Sequence, residues 1–542
     1  MPAKKAKKSS KASGKKSSAK KAVAKAKKAA TKTASKKGAS KKTTATKKPA
    51  AKAATSAGKK GASKKAGTKT TKKAAASPAT DGSVMSPGVL VVNMIPKSRS
   101  GETNQDSEPN LAVDPLRPLN MVGSAFTPDP GGGPNAPIYF STDGGNTWRL
   151  NSIIPGNGPF GTGDITVRFS ESHMLYAGIL RGDAHLRMNI LRTADFTSAT
   201  PMTVLLSRDN VDQPYIQTAR VTVGGTQKDV VFNGDNDLSA GTANNKSATI
   251  DHTVDAQAAA PAFKKTVIDS RVAFGVDAPT IRPTIHSNGT VYGAYLHRID
   301  ASGSVRHYDV VVVRDDKFGT SANPFAALKD PGDGLAGRRI VTNRLIPWLI
   351  PGLGQERIGG SLSIAVDPTN SRTVYVAWAD RVGSNDYTLH VRVSKDAGST
   401  WSNDCLTISN ATCPALAVNS VGKVGFLYQQ LKGTNATTQR WVTHLRRSTD
   451  GISWSDLVLA DVPAATPPRQ FFPYIGDYNH LLCVGKDFYG IFSANNFPNR
   501  ANFPSGVKYQ RNADFIKHKL LNVDNTTEVA ISIDPFFFQV TE

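Results

Sequence analysis

The sequence predicts an all-β fold: a single β-propeller of about seven four-stranded blades, with six also compatible, preceded by a disordered basic tail. Three observations predict it. An eight-residue box, "STDGGNTW" at Ser141–Trp148, recurs as "SKDAGSTW" at Ser394–Trp401 and, one residue shorter, as "STDGISW" at Ser448–Trp454. A second pattern lies upstream of each box, aligning without gaps as "EPNLAVDP" from Glu108, "SLSIAVDP" from Ser361 and "CPALAVNS" from Cys413. A β-rich run follows each copy of that pattern, as in "TVYVAWA" and "KVGFLYQ". Repeated units of four short strands with turn residues between them are the signature of a propeller.

Taken in order, the units begin at seven places. Between the well-matched copies lie weaker ones with the same apolar alternation: "DITVRFS" from Asp164, "QPYIQTA" from Gln213, "APTIRPT" from Ala278 and "FPYIGDY" from Phe472. Degenerate boxes fill most of the gaps, with "RTADF" at Arg192, "RDDKFG" at Arg314 and "RNADF" at Arg511; the third unit has none. Either "VLVVN" (Val89–Asn93) or "VAISID" (Val529–Asp534) is expected to close the ring.

The charge is unevenly placed. Of 68 basic residues in the 542-residue chain, 27 are lysines within residues 1–80, which hold no arginine and no acidic residue. The remaining 41 basic residues face 42 acidic ones, so a neutral body carries a cationic arm. The arm has no aromatic residue and Val23 as its sole aliphatic β-branched one. It cannot bury enough apolar surface to offset chain entropy, and disorder is expected. Two parts follow: a tail over 1–80 and a propeller over 81–542. Closely spaced lysines neutralise phosphates and release counterions, so nucleic acid or another polyanion is the expected partner of the tail. Without aromatic residues it has nothing to stack on single-stranded bases.

No apolar stretch is long enough to span a membrane, and the basic N-terminus lacks the apolar core of a secretory signal. A cytoplasmic or nucleic-acid-associated location is therefore slightly favoured, although the compartment stays open. Cys405, Cys413 and Cys483 show no metal-ligand spacing; three thiols, or one bridge between Cys405 and Cys413, fit the pattern. No cofactor is implied, and the sequence leaves a metal undecided.

The boxes resemble Asp-box (BNR) repeats, and residues 85–542 resemble the sialidase-like Asp-box propellers; the tail resembles the lysine/alanine-rich tails of linker histones and bacterial histone-like proteins. The resemblance implies that each box is the hairpin turn between the two outer strands of a blade. Asp143, Asp396 and Asp450 would then accept hydrogen bonds from turn amides. Gly145 and Gly398 would take the positive-φ position, and Trp148, Trp401 and Trp454 would pack between blades. It also implies that the boxes lie on the face opposite the one where sialidases bind substrate.

Candidate site residues cluster at the starts of the inner strands. Glu108, Asp164, Asp212 and Asp277 fall at or just before the aligned starts and would converge on the channel mouth. Arg168 and Arg282 occupy equivalent inner-strand positions, beside Tyr215 and Tyr474. A planar guanidinium pair suits bidentate capture of a carboxylate. The resembled sialidases hold the sialic-acid carboxylate with three arginines and use a tyrosine activated by a glutamate, with an aspartate as acid/base. Carried onto this chain, the candidates are Arg168, Arg282 and Arg357, with Glu108, Asp164 and Tyr474; Glu171, Glu356, Tyr478 and Asp477 are further possibilities. A two-carboxylate glycoside hydrolase is equally compatible with the acidic cluster. Two classes of function stay open: a propeller that binds or hydrolyses glycans at the face away from the boxes, and a non-enzymatic interaction scaffold tethered by its tail.

Overall fold

In the computed structural model, residues 85–542 are described, except 184–185, 241–245, 275–280, 301–304, 348, 351–355, 358–361, 384–386, 436 and 469–474. The basic tail lies outside the described residues. The body is a seven-bladed propeller. Six blades are antiparallel four-stranded sheets, each built from consecutive strands. Blade 1 comprises Asn110–Val113, Met121–Ser124, Ala136–Ser141 and Arg149–Ile154, and blade 2 Ile165–Phe169, Leu175–Arg181, Arg187–Thr193 and Thr203–Asp209. The inner strands of blades 3 to 6 are Val211–Val223, Arg282–Ile285, Leu362–Asp367 and Ala411–Val418. Each inner strand contacts the inner strands on either side, and that of blade 7, His480–Val484, contacts that of blade 1, so the ring is closed.

Blade 7 makes the closure. Its strands run His480–Val484, Asp487–Asn495, Ile533–Val540 and then Val89–Asn93, with Lys508–Tyr509 added in parallel at the edge. Both expected closing segments are involved, in different ways. "VLVVN" is the outer strand, paired antiparallel to Ile533–Val540. Only the last two residues of "VAISID" reach the third strand. The "RNADF" stretch is not a blade hairpin. It lies in a connection between the second and third strands of blade 7, where Ala513–Asp514 and Lys519–Leu521 form a small hairpin. A local Asp turn produces the same motif there, with Asp514 accepting from the amides of Ile516 and Lys517.

Blade strands are covered on both faces by their neighbours. That is why Val310, Val311, Val312 and Val313 are all fully buried, and why the sequence there shows no alternation. The aligned apolar residues Leu111, Val167, Ile216, Ile281, Ile364, Leu416 and Ile475 are buried too. One contact repeats between blades. The Asn110 side chain accepts from the Val167 amide at 3.0 Å, Thr166 from Ile216 at 2.8 Å and Ser363 from Leu416 at 3.0 Å. A polar residue one place before the apolar one thus clasps the next blade, satisfying a backbone donor that burial would otherwise leave unpaired.

The three box hairpins use their chemistry internally. Asp143 accepts from the Thr147 amide at 2.9 Å and its hydroxyl at 2.7 Å, and Ser141 accepts from the Gly145 amide at 3.0 Å. Asp396 repeats this with Thr400, and Ser394 with Gly398. Gly145 has φ 80°, and a Cβ there would lie 2.2 Å from the Phe537 ring, so both backbone and packing demand glycine. Trp148 is buried against Phe537 of blade 7, with ring centroids 5.3 Å apart. Trp401 and Trp454 are partly buried against the core. Strand direction places every box at the end of a third strand, on the face opposite the starts of the inner strands.

Blade 5 carries a buried charge network with a pH signature. The His390 ring lies between Asp404 (Nδ1–Oδ2, 2.8 Å) and Asp380 (Nε2–Oδ1, 3.0 Å) and stacks on Trp378. Burial opposes its charge, but the hydrogen bonds to the two carboxylates win and push it up to about 8. A histidine raised on folding contributes stability that is complete below its unfolded value and is lost as pH rises through the folded one. Between about pH 6 and pH 9 the protein is therefore expected to lose about 2 kcal/mol through this group. Urea unfolding of wild type and His390→Gln across that window checks it; equal slopes in the two proteins would refute the assignment.

Candidate functional site

The inner strands start at one end of the channel, and the chain enters them in a repeated way. Glu108, Gln213 and Cys413 each precede a proline and each adopt a left-handed backbone, with φ of 56°, 51° and 53°. Such a conformation is sparsely populated for non-glycine residues and is held here by the surrounding packing. In blades 3 and 6 it coincides with a break in register near the start of the strand.

Arg168 and Arg282 both reach this region, and Tyr215 of blade 3 joins them. The Arg282 guanidinium lies 4.5 Å from the centroid of the Tyr215 ring and that of Arg168 lies 5.7 Å from it. Arg282 is also 5.8 Å from the ring of Tyr478. Such guanidinium–ring contacts gain from the ring quadrupole, more so when desolvated.

The two arginines have different surroundings. Arg168 spends its donors on neutral groups of four blades: Gln217 Oε1 at 3.2 Å, Asn110 Oδ1 at 3.2 Å, the carbonyls of Leu111 and Val167, and the ring of His480. Burial and the adjacent guanidinium hold His480 well below the usual histidine range, so its neutral Nε2 accepts from Arg168. Burial likewise pulls both arginines down from their ordinary value. Arg282 instead feels acidic groups, with Asp477 and Asp164 acting on its charge together with Tyr215 and Tyr478. Tyr478 is pushed well above the usual tyrosine range by burial, then by Asp164 and Glu108, so it stays a protonated phenol.

Five of the seven blades thus meet here: Glu108 from blade 1, Asp164 from blade 2, Tyr215 from blade 3, Arg282 from blade 4, and Asp477 with Tyr478 from blade 7. Glu108 is fully buried, Asp164 half-buried, and Gly476 presses directly on the Glu108 backbone. The arrangement brings two guanidiniums, at Arg168 and Arg282, together with the Tyr215 and Tyr478 rings, and sets the charges of Glu108, Asp164 and Asp477 close enough to act on Tyr478.

Tyr474 and Asp277 lie outside the described residues. Arg357 belongs to a short strand pairing Glu356–Arg357 with Leu349–Ile350. Asp212 keeps its carboxylate on the amide of Gln213. His480 escapes sequence reasoning because the "FPYIGDY" alignment starts the blade 7 strand too early. Ile475 and Gly476 belong to the entry loop, and the strand begins at His480. The tight turn pairing Val484 with Asp487 in "LLCVGKDFYG" is the signal that locates it.

Among the described residues, no group of three or more His, Cys, Asp or Glu side chains is arranged to hold a metal ion. None of the three cysteines forms a disulfide among the described residues, and no described helix is long and apolar enough to cross a membrane.

No protein-family model and no curated protein matches the chain. Among solved structures, the chain is similar to a polysaccharide lyase, an ulvan lyase, at 10% identity and TM-score 0.40 over 72% of this chain and 92% of that one. It is similar to a Penicillium chrysogenum alpha-L-arabinanase at 12% identity and TM-score 0.36, over 83% of this chain and 98% of that one. A Trypanosoma rangeli sialidase matches at 13% identity and TM-score 0.35, over 84% of this chain and 60% of that one.

Proposed function

We propose that the protein is a glycan-directed propeller of the Asp-box, sialidase-like kind. In this reading its channel mouth, on the face opposite the boxes, binds or hydrolyses a sugar carrying a carboxylate. The observation that carries the reading is the Tyr215 ring lying against both Arg168 and Arg282, with the Arg168 donors taken up by neutral groups among the described residues. Two desolvated guanidiniums on one ring favour an anion beside them. Arg282 is the group that meets the carboxylate and Arg168 a positioning residue that holds Tyr215 and the inner strands. Tyr478, with Glu108 as proton acceptor, and Asp164 as acid/base, supply the groups for glycosidic cleavage; Tyr474 and Arg357 stay candidates for the same mouth. The tail of residues 1–80, a part separate from the 81–542 propeller, tethers the protein to nucleic acid or another polyanion through counterion release.

The test is hydrolysis of a fluorogenic panel of sialosides, uronides and neutral glycosides by the full chain, with Arg282→Ala alongside. Cleavage confined to acidic sugars, and lowered in kcat/KM by about 100-fold or more in Arg282→Ala, is expected for a lost charge-paired contact. Cleavage that survives in Arg282→Ala would place the chemistry elsewhere. Neither cleavage nor binding across the panel would replace this reading with a non-enzymatic scaffold.

A further inference from the structure

Away from the channel, a narrow cleft opens where the segment leading into blade 1 crosses the blade's outer strands. It is lined by Arg99, Glu102, Asn104, Asp106, Thr127 and Tyr139, among others, and has room for about one water-sized occupant. Asp106 is fully buried in its wall. One of its oxygens, Oδ2, accepts from the Tyr139 hydroxyl at 3.0 Å, while Oδ1 has no hydrogen-bond partner among the described residues. Glu102 repeats the pattern, with Oε1 taking the Asn104 amide and Oε2 buried and unpartnered.

The nearby guanidinium does not answer this demand. Arg511 donates to both oxygens of Asp534 and to the carbonyls of Ser100 and Glu102. Arg99, at the rim, makes no ion pair with either free carboxylate oxygen among the described residues. Three carboxylates therefore lie around Arg511, whose donors are already committed, with Arg99 acting on Glu102 without an ion pair among the described residues. A buried anion without a partner is costly, and the site must take up positive charge.

We propose that this cleft is a binding site for a single hard divalent cation of the calcium class, held by Asp106 and Glu102. The available donors are all oxygens, which disfavours zinc and copper. Two carboxylates balance a divalent charge. An irregular loop of mixed carboxylate, amide and phenol oxygens suits the flexible coordination of calcium better than the strict octahedron of magnesium. Only two acidic side chains take part, so neutral oxygens and water complete the shell. The ion would pin the segment entering blade 1 to that blade's sheet.

The experiment titrates calcium chloride into the full chain after chelator treatment and dialysis, by calorimetry and by Tm, with magnesium at matched ionic strength. Saturable binding of one calcium per chain is expected, with Tm rising with the logarithm of calcium concentration. Asp106→Asn should abolish both signals and Glu102→Gln should weaken binding at least tenfold; if Asp106→Asn fails to fold, Glu102→Gln decides. No saturable binding up to millimolar calcium, an equal response to magnesium, or unchanged binding in the variants would overturn the proposal.

Discussion

Replacing Arg511 by alanine is expected to destabilise the propeller by about 3–5 kcal/mol, the range for removing one partner of a buried ion pair. Both Arg511 and Asp534 have side chains with no solvent exposure, and the pair closes at 3.0 Å. Asn93, Asn496 and Ser532 also donate to Asp534, so its hydrogen bonds largely survive the substitution. What is lost is the guanidinium that pairs with Asp534, and with it the bonds that tie residues 100 and 102 to the blade 7 connection. Guanidinium chloride unfolding measures the change as a lower midpoint at constant slope. The double variant Arg511→Met with Asp534→Asn should recover part of the loss, because it removes the stranded charge as well. A cost below about 1 kcal/mol for Arg511→Ala would show that the pair is dispensable.

The second large effect concerns ring closure. A chain lacking residues 85–95 loses the outer strand of blade 7, in which Val91 and Val92, with Met94 and Ile95 just beyond, are essentially fully buried. At about 1.5–3 kcal/mol for each buried side chain, the loss is about 6–12 kcal/mol, comparable to the whole stability of an ordinary domain. Such a chain is expected to lose cooperative unfolding and near-ultraviolet circular dichroism, whereas a chain begun at residue 85 keeps both. A peptide spanning residues 85–96 should restore the transition by adding itself as the missing strand. A sharp transition in the deleted chain without peptide would mean that the ring closes by some other contact.

These two sites show where sequence reading stops. The box hairpins were legible because their chemistry is local. A serine, an aspartate and a glycine within four residues of one another satisfy their own turn, whatever lies around them. The starts of the inner strands were legible for a related reason: the apolar residue repeats in every well-matched unit, and in two of the three a polar residue precedes it, as in the clasp from Asn110 to Val167. The "RNADF" motif marks the limit of that logic, since a local turn carries no information on which strands flank it.

The candidate site was legible only in part. Arg168, Arg282, Glu108 and Asp164 sit at positions that the repeat itself marks. His480 does not, because the entry loop around Gly476 lengthens the approach to blade 7 and breaks the alignment. The Glu102–Asp106 cleft had no sequence signal, since two carboxylates four residues apart become a site only when Tyr139 and Arg511 are brought beside them.

By itself, then, the sequence determined the blade architecture, the turns between outer strands and the separation of a cationic arm from a neutral body. Those follow from side-chain period, turn chemistry and composition, which act over a few residues. Tertiary structure alone decided which strand closes the ring, which residues share the channel mouth and which carboxylates gather around Arg511. Asn93 and Asp534 meet across 441 residues of chain, and no local preference encodes a contact whose partners are chosen by the geometry of the closed ring.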